Sequence, residues 1–309
     1  VGSTLNDTIL GLAGNDALTG GYGDDTLSGG QGNDSLTDSH GVNILDGGAG
    51  DDVLDVSGSD YNYDFDISRQ IGSRLIGGLG DDVITGSDYG NDYLFNLGDG
   101  YDVISDDSGS CNTGNHDIIE FGAGILPDDI SFSREGNDVL IQHSNSQDSI
   151  RVKDWLLSEQ FQIEQLLFAD GTVWEGKVLQ GKAQTLTGAT SDDELVGSIF
   201  DDTILGMAGN DTIDGGHGND TLSGGEGNDT LTDTYGIDIL DGGAGDDVLN
   251  AYSSYSYYNN STERNVGSRL MGGIGDDDIT GGFDGNDYLF NLGDGHDTIS
   301  DYGNTKHEY

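Results

Sequence analysis

The chain has 309 residues and a formal net charge of −48, from 58 acidic and 10 basic side chains; 49 of the acids are Asp, and 54 residues are Gly against one Pro and one Cys. Such a charge repels nucleic acid and anionic lipid, whose grip on proteins comes from Lys and Arg, and attracts cations. No apolar run reaches the length of a membrane span, no charged-then-apolar leader opens the sequence, and Cys111 has no partner for an internal disulfide.

From residue 2 to residue 55 the sequence repeats every nine residues. Gly20-Gly21-Tyr22-Gly23-Asp24-Asp25-Thr26-Leu27-Ser28 is followed by residues 29–37 on the same rule, and later by residues 47–55. One large aliphatic returns at each ninth position, as Ile9, Leu18, Leu27, Leu36, Leu45 and Leu54. Neither a helix nor a long strand has that spacing. It predicts a coil with a short strand in each half-turn, the middle side chain pointing inward. The six residues before each strand must turn, and Gly at the first, second and fourth places permits this. A buried aliphatic contributes about 1.5–3 kcal/mol, while ordering each residue costs about 1 kcal/mol or more. One aliphatic per repeat is therefore too little. The sixth-place acids, Asp7, Asp16, Asp25, Asp34 and Asp52, are the candidate for the remainder. Stacking sets them in columns that repel unless a cation lies between them. Carboxylates with turn carbonyls form an all-oxygen cage, which suits Ca²⁺ rather than Zn²⁺.

The rhythm breaks over residues 56–76, where Tyr61, Tyr63 and Phe65 alternate with polar residues. Period two predicts a strand or hairpin beside the coil, either covering an edge or offering tyrosines to a sugar or a partner. The repeat resumes at residues 77–85 with Asp82, and Asp99 and Asp102 follow.

Residues 107–187 have a different composition, with 8 Gly in 81 residues and with Pro127, Trp155 and Trp174. Residues 117–121, 130–133, 139–142 and 149–152 read as strands, with a hairpin turn at Gly136-Asn137-Asp138. Asp154 is expected to cap a short helix. Residues 166–174 read as a second hairpin turning at Asp170-Gly171, and both Trp residues are expected in the core.

A longer period overlies the short one. Residues 5–106 return as residues 200–301 without a gap, and 66 of the 102 positions are identical. The second copy has its own aliphatic ladder (Leu195, Ile204, Ile213, Leu222, Leu231, Leu240, Leu249) and its own sixth-place acids. These are Asp193, Asp202, Asp211, Asp220, Asp229, Asp238, Asp247 and Asp277, with Asp294 and Asp297 beyond them. Its interruption, residues 251–271, carries Tyr252, Tyr255, Tyr257 and Tyr258.

The pattern GGxGxD followed by x-aliphatic-x resembles the RTX (repeats-in-toxin, haemolysin-type) calcium-binding repeat over about residues 2–106 and 188–301. Asp128-Asp129-Ile130-Ser131-Phe132, Val152-Lys153-Asp154-Trp155, Ile163-Glu164-Gln165 and Phe168-Ala169-Asp170-Gly171-Thr172 resemble the haemolysin-type calcium-binding-related module found between such arrays. The resemblance implies an all-β fold of two parallel β-rolls, residues 1–106 and 188–309, joined by a small β-rich module, residues 107–187. It implies ions held between one loop and the loop two further on. The earlier loop offers its second- and fourth-place carbonyls and its Asp; the later loop offers its first- and third-place carbonyls and its Asp. In the first roll this assigns Leu12, Gly14, Gly20, Gly21, Tyr22, Gly23, Gly29, Gly30, Gln31, Gly32, Gly47 and Ala49 to ions held by Asp7, Asp16, Asp25, Asp34 and Asp52. Gly78 and Gly80 join Asp82 with Asp99 and Asp102. In the second roll it assigns Gly206, Met207, Ala208, Gly209, Gly215, Gly216, His217, Gly218, Gly224, Gly225, Glu226, Gly227, Gly242 and Ala244 to Asp193, Asp202, Asp211, Asp220, Asp229, Asp238 and Asp247. Gly273 and Gly275 join Asp277 with Asp294 and Asp297. About eleven calcium ions follow from this pairing, enough to offset nearly half of the net charge. The unit at residues 38–46 departs from the rule, with no opening glycines and with Asn43 at the sixth place. Ser3, Leu5, Ala189, Ser191, Ser198 and Phe200 replace glycines at the head of each roll, which predicts looser turns there.

The expected function is calcium binding that folds a structural segment of a large secreted bacterial protein, exported by the type I route and located outside the cell. One alternative is a calcium-dependent adhesin with a glycan or cell-surface ligand. Another is a non-catalytic fragment of a secreted toxin or enzyme. Neither HExxH nor GxSxG is present. Gly176 to Lys182 mimics the start of a phosphate loop, but Ala183 stands where Ser or Thr would hold Mg²⁺. His40, His217 and His296 occupy variable loop places and are expected to be solvated, and Cys111 reads as incidental. The chain is thus expected to be no enzyme, to bind no nucleic acid, and to be a monomeric fragment of a larger chain.

Overall fold

The computed structural model describes residues 1–57, 72–106, 116–252, 267–282 and 285–302. Tyr61, Tyr63, Phe65, Cys111, Tyr255, Tyr257 and Tyr258 lie outside the described residues. The described chain is nearly all strand and divides into two compact units, Val1–Ala183 and Gln184–Tyr309. Among the described residues no helix is long and apolar enough to cross a membrane.

In the first unit alternate half-turns feed alternate sheets. One sheet takes Thr8–Ala13, Thr26–Gln31, Ile44–Ala49, Arg74–Leu79 and Asp92–Phe95. The other takes Ala17–Thr19, Ser35–Thr37, Val53–Asp55, Val83–Thr85 and Tyr101–Ser105. All of these pairs are parallel, and the register brings like positions together. Ile9, Leu27, Leu45, Leu75 and Tyr93 form one ladder; Leu18, Leu36, Leu54, Ile84 and Ile104 form the other. From Leu27 onward these side chains are at most 2% exposed and share one core. The interruption leaves the ladder intact, because Ile44–Ala49 pairs directly with Arg74–Leu79. The roll therefore resumes a little before residue 77.

Residues 116–183 do not stand apart as a separate module; they extend both sheets of the first roll. Ile118–Phe121 pairs in parallel with Asp92–Phe95, and Ser149–Val152 pairs in parallel with Tyr101–Ser105. Two antiparallel hairpins then finish the sheets. Ile130–Glu135 and Asp138–His143 turn at Gly136, and Gln165–Leu167 and Val173–Glu175 turn through Asp170-Gly171. The core runs on through Phe121, Ile141, Val152, Trp155 and Phe168. Trp174 is half-buried, packed near Phe132 and Phe168, with Lys182 Nζ 4.0 Å from its ring centre. The helix expected at Asp154 is a turn instead. The Asp154 N–H donates to Asp138 Oδ1 at 2.8 Å and its φ is +56°, away from the extended conformation of an N-cap, and residues 153–157 form turns. A helix forms at Gly176–Ala183, over the stretch that mimics a phosphate loop.

The second unit repeats the roll. Thr185–Thr187, Thr203–Ala208, Thr221–Glu226, Ile239–Ala244, Arg269–Ile274 and Asp287–Leu289 form one parallel sheet. Glu194–Val196, Thr212–Asp214, Thr230–Asp233, Val248–Ala251, Asp278–Gly281 and Thr298–Asp301 form the other. Its core is Ile204, Leu222, Leu240 and Leu270 against Ile213, Leu231, Leu249 and Ile279.

Candidate metal centres in the stacked loops

The loops with glycine at the second place turn there. Gly30, Gly48, Gly78, Gly225, Gly243 and Gly273 have φ between 105° and 115°. A Cβ on Gly30 would fall 2.2 Å from the Leu12 carbonyl oxygen of the loop stacked on it, so a side chain fits neither the conformation nor the space. Leu12 and Met207 hold the same left-handed place, at 79° and 83°. Second- and fourth-place carbonyls thus face the loop two further on: Gly14 O beside Gly32, Gly225 O beside Gly243, and Gly227 O beside Gly245. Third-place carbonyls are engaged differently. Gln31, Ala49 and Ala244 accept hydrogen bonds at 2.8 Å from the N–H groups of Gly14, Gly32 and Gly227.

One repeated hydrogen bond stacks the sixth-place acids, from a backbone N–H to Oδ1 two loops on. In the first roll it joins Asp16 to Asp34, Asp34 to Asp52 and Asp52 to Asp82, each at 2.7 Å, and Asp82 to Asp102 at 3.1 Å. In the second roll it joins Asp193, Asp211, Asp229 and Asp247 at 2.8 Å, Asp247 to Asp277 at 2.9 Å and Asp277 to Asp297 at 3.2 Å. These two columns are carboxylate throughout. The links Asp52–Asp82 and Asp247–Asp277 cross the interruptions, where counting by nines shows no pair.

The other two columns keep the hydrogen bond and lose the charge at some positions. The first runs from Asp7 to Asp25, Asn43, Ser73, Asn91, Asp117 and Glu164. The second runs from Asp202 to Asp220, Asp238, Ser268 and Asn286. Stacking therefore needs only an acceptor, and the carboxylate charge is an additional feature of certain loops.

The other oxygen of most column carboxylates has no such partner. Oδ2 of Asp16, Asp25, Asp34, Asp52, Asp82, Asp211, Asp220, Asp229, Asp247 and Asp277 is buried with no hydrogen-bond partner. A Cβ on Gly29 would sit 2.2 Å from Asp34 Oδ2 and 2.6 Å from Gly47 O; on Gly224 it would sit 2.2 Å from Asp229 Oδ2 and 2.5 Å from Gly242 O. First-place glycine thus preserves a gap that a carboxylate oxygen and a carbonyl oxygen both face. Burial pushes the carboxyls of Asp52 and Asp247 up to about 6, Asp82 up to about 7 and Asp102 up to about 8. A buried carboxylate oxygen without a partner is costly, and an oxygen-only donor set is what a hard divalent cation takes. The residues present fit calcium.

Some acids expected in the columns are satisfied locally. At the heads of the rolls the second-place N–H turns inward: Ser3 N to Asp7 Oδ2 at 2.6 Å, Ala189 N to Asp193 Oδ2 at 2.6 Å, and Ser198 N to Asp202 Oδ2 at 2.5 Å. These turns are tied rather than loose, and the Ser3 N–H holds the Asp7 carboxyl below its ordinary range. Asp99 Oδ2 accepts from Asn96 N–H at 2.6 Å, and Asp294 accepts from Asn291 N–H, so Asp102 and Asp297 continue the columns. His40 and His217 are not merely solvated. Tyr22 packs on His40 with ring centres 4.2 Å apart, and His217 stacks on Tyr235 at 4.0 Å. The two copies exchange which loop carries which ring. His296 is exposed.

Five buried acids escaped the nine-residue reading: Asp38, Asp106, Asp117, Asp148 and Asp233. Asp38 and Asp233 stand at a first place, where Gly is the rule; their recurrence 195 residues apart is the signal that marks them. Asp106 and Asp117 lie where the first roll meets its closing strands. The Tyr93 hydroxyl donates to Asp106 Oδ2 at 2.5 Å, and burial raises both carboxyls.

Residues 1–36, 39–60, 187–222, 196–231 and 223–253 match the RTX calcium-binding nonapeptide repeat (4 copies). Residues 138–177 match the haemolysin-type calcium binding protein related domain, and the two matches together span just over half of the chain. No curated protein matches it. Among solved structures, the extracellular lipase LipA from Serratia marcescens aligns at 17% identity with a TM-score of 0.19, over 90% of this chain and 32% of the lipase. The chain thus spans about a third of that lipase's length.

Proposed function

We propose that this chain, which belongs to the RTX haemolysin-type calcium-binding repeat proteins, is a non-catalytic structural segment of a large secreted bacterial protein, folded by the calcium it binds. Its nonapeptides are calcium-binding repeats. The observation that carries the rest is the series of buried, unpartnered Asp Oδ2 atoms facing the first-place glycine gaps. Bound calcium would supply the positive charge those gaps lack. The column Asp residues would ligate through Oδ2 while Oδ1 continues to accept the stacking hydrogen bond. First-place carbonyls such as those of Gly47 and Gly242, which face the same gaps, would add neutral oxygen ligands. Without the ion the ladder of one aliphatic per repeat leaves the loops' ordering cost unmet, so ion binding and folding are one event. Such a chain stays unfolded where calcium is scarce and folds where it is plentiful, which accords with type I export to the outside of the cell.

Far-UV circular dichroism, recorded in chelator and then through a Ca²⁺ titration with Mg²⁺ as control, tests this. A coil that becomes β-rich cooperatively with Ca²⁺ and not with Mg²⁺ is expected. A chain already fully β-rich in chelator would overturn the reading.

A further inference from the structure

Asp233 occupies the first place of its loop, where the repeat has glycine, and it is fully buried. Its Oδ1 accepts from the Tyr235 N–H at 3.1 Å, and its Oδ2 is buried without a partner. Opposite stands Gly215, two loops earlier. A Cβ there would lie 2.0 Å from Asp233 Oδ2 and 2.8 Å from Asp220 Oδ2. Asp220 is 1% exposed, and its Oδ2 also has no partner. Asp238 closes the group, accepting from the Asp220 N–H and the Ser268 hydroxyl at 3.1 Å each. One carboxylate oxygen from each of Asp220, Asp233 and Asp238 lies within 4.8 Å of the other two. Apart from the gap at Gly20 in the first roll, where Asp38 stands, the other column gaps with a first-place glycine have only their sixth-place acids, so this gap is the more negative one.

We infer that Asp233 is a side-chain ligand, and that Asp220, Asp233 and Asp238 hold one calcium ion at a three-carboxylate site tighter than the ordinary gaps of the columns. This rests on the reading of the repeats as calcium sites. The first roll supplies an internal comparison. Asp25 and Asp38 take the same places across Gly20, whose Cβ would lie 1.9 Å from Asp38 Oδ2 and 2.5 Å from Asp25 Oδ2. There Asn43 replaces the third acid. Oxygen cages bind calcium more tightly as their charge count rises, so the site in the second roll is the stronger of the two.

Calcium calorimetry on the full chain, with far-UV circular dichroism alongside, tests the assignment in three proteins. Asp233→Asn removes the charge and keeps the shape; it is expected to weaken one ion of the tightest class by about tenfold while the calcium-induced β signal remains. Asn43→Asp completes the triad in the first roll and is expected to add one ion to the tightest class. An unchanged isotherm in both variants, with the unmodified chain binding calcium and folding, would overturn this site alone. An unmodified chain that takes up no calcium would overturn the general reading as well.

Discussion

Leu12 and Met207 hold φ near +80° at the place where other loops have glycine, with side chains 71% and 50% exposed. A non-glycine residue in the left-handed region costs about 1–2 kcal/mol, and nothing these side chains bury offsets it. They persist because the carbonyl at that place must face the next loop, as Leu12 O faces Gly30. Replacing Leu12 or Met207 with Gly is therefore expected to raise the stability of the calcium-loaded chain by about 1 kcal/mol each. Urea unfolding at saturating calcium measures it. A lower midpoint would mean that the side chains contribute packing the exposures do not show. The same residue scale separates the two oxygens of each column acid. Oδ1 serves the fold, and Asn43 or Asn91 replaces it without loss of the hydrogen bond. Oδ2 is the proposed ligand position, buried without a hydrogen-bond partner, and an amide there would not supply the carboxylate's charge.

At the scale of the element, the stacking unit is a pair of half-turns, and its spacing in sequence is free so long as its ends meet. Asp34 stacks on Asp52 across 18 residues, while Asp52 stacks on Asp82 across 30, with the same 2.7 Å bond. The twelve extra residues of the first interruption are thus no part of the ladder. Excising twelve residues from within 58–71 is expected to leave the calcium-induced β signal and its midpoint unchanged. Loss of the cooperative transition would show that the interruption holds the roll together. This is also where legibility in the sequence ended. The glycine, aspartate and aliphatic places were readable because each answers a local need: a left-handed turn, an acceptor for the stacked loop's N–H, a buried side chain. The pairing across the interruptions was not, because register is set by the strands that resume at Arg74 and Arg269 and leaves no periodic trace. Nor was the merging of residues 116–183 with the first roll, which depends on the open edges of Asp92–Phe95 and Tyr101–Ser105 finding parallel partners. Asp154 read as a helix cap because its neighbours are apolar, but the Asp138 carboxylate holds its N–H and fixes a turn.

At the scale of the whole molecule, a net charge of −48 must be accommodated by ions or by protons. The carboxyls that burial raises show how the two compete. Asp52 and Asp247 rise to about 6, Asp82 to about 7 and Asp102 to about 8, against an ordinary value of 3.8 in the unfolded chain. A folded value above the unfolded one means that the ion-free rolls bind more protons than the coil. Their contribution to stability is complete below about pH 4 and is lost as the pH rises through about 6 to 8. Calcium acts in the opposite sense, since it requires the ionised carboxylates and must displace those protons. In chelator, acidification from pH 8 toward pH 4 is therefore expected to increase the β signal. In calcium, the same acidification is expected to move the folding midpoint to higher ion concentration, with protons released on binding in weakly buffered solution near pH 6.5. Circular dichroism over a grid of pH and calcium concentration reads both effects. A midpoint independent of pH, together with no acid-induced structure in chelator, would mean that the column carboxylates are not the groups that calcium engages. The two trends have a single source. Each Oδ2 that faces a glycine gap is uncompensated in the ion-free fold, and on the proposed reading H⁺ and Ca²⁺ compete for it, each according to its concentration relative to its affinity.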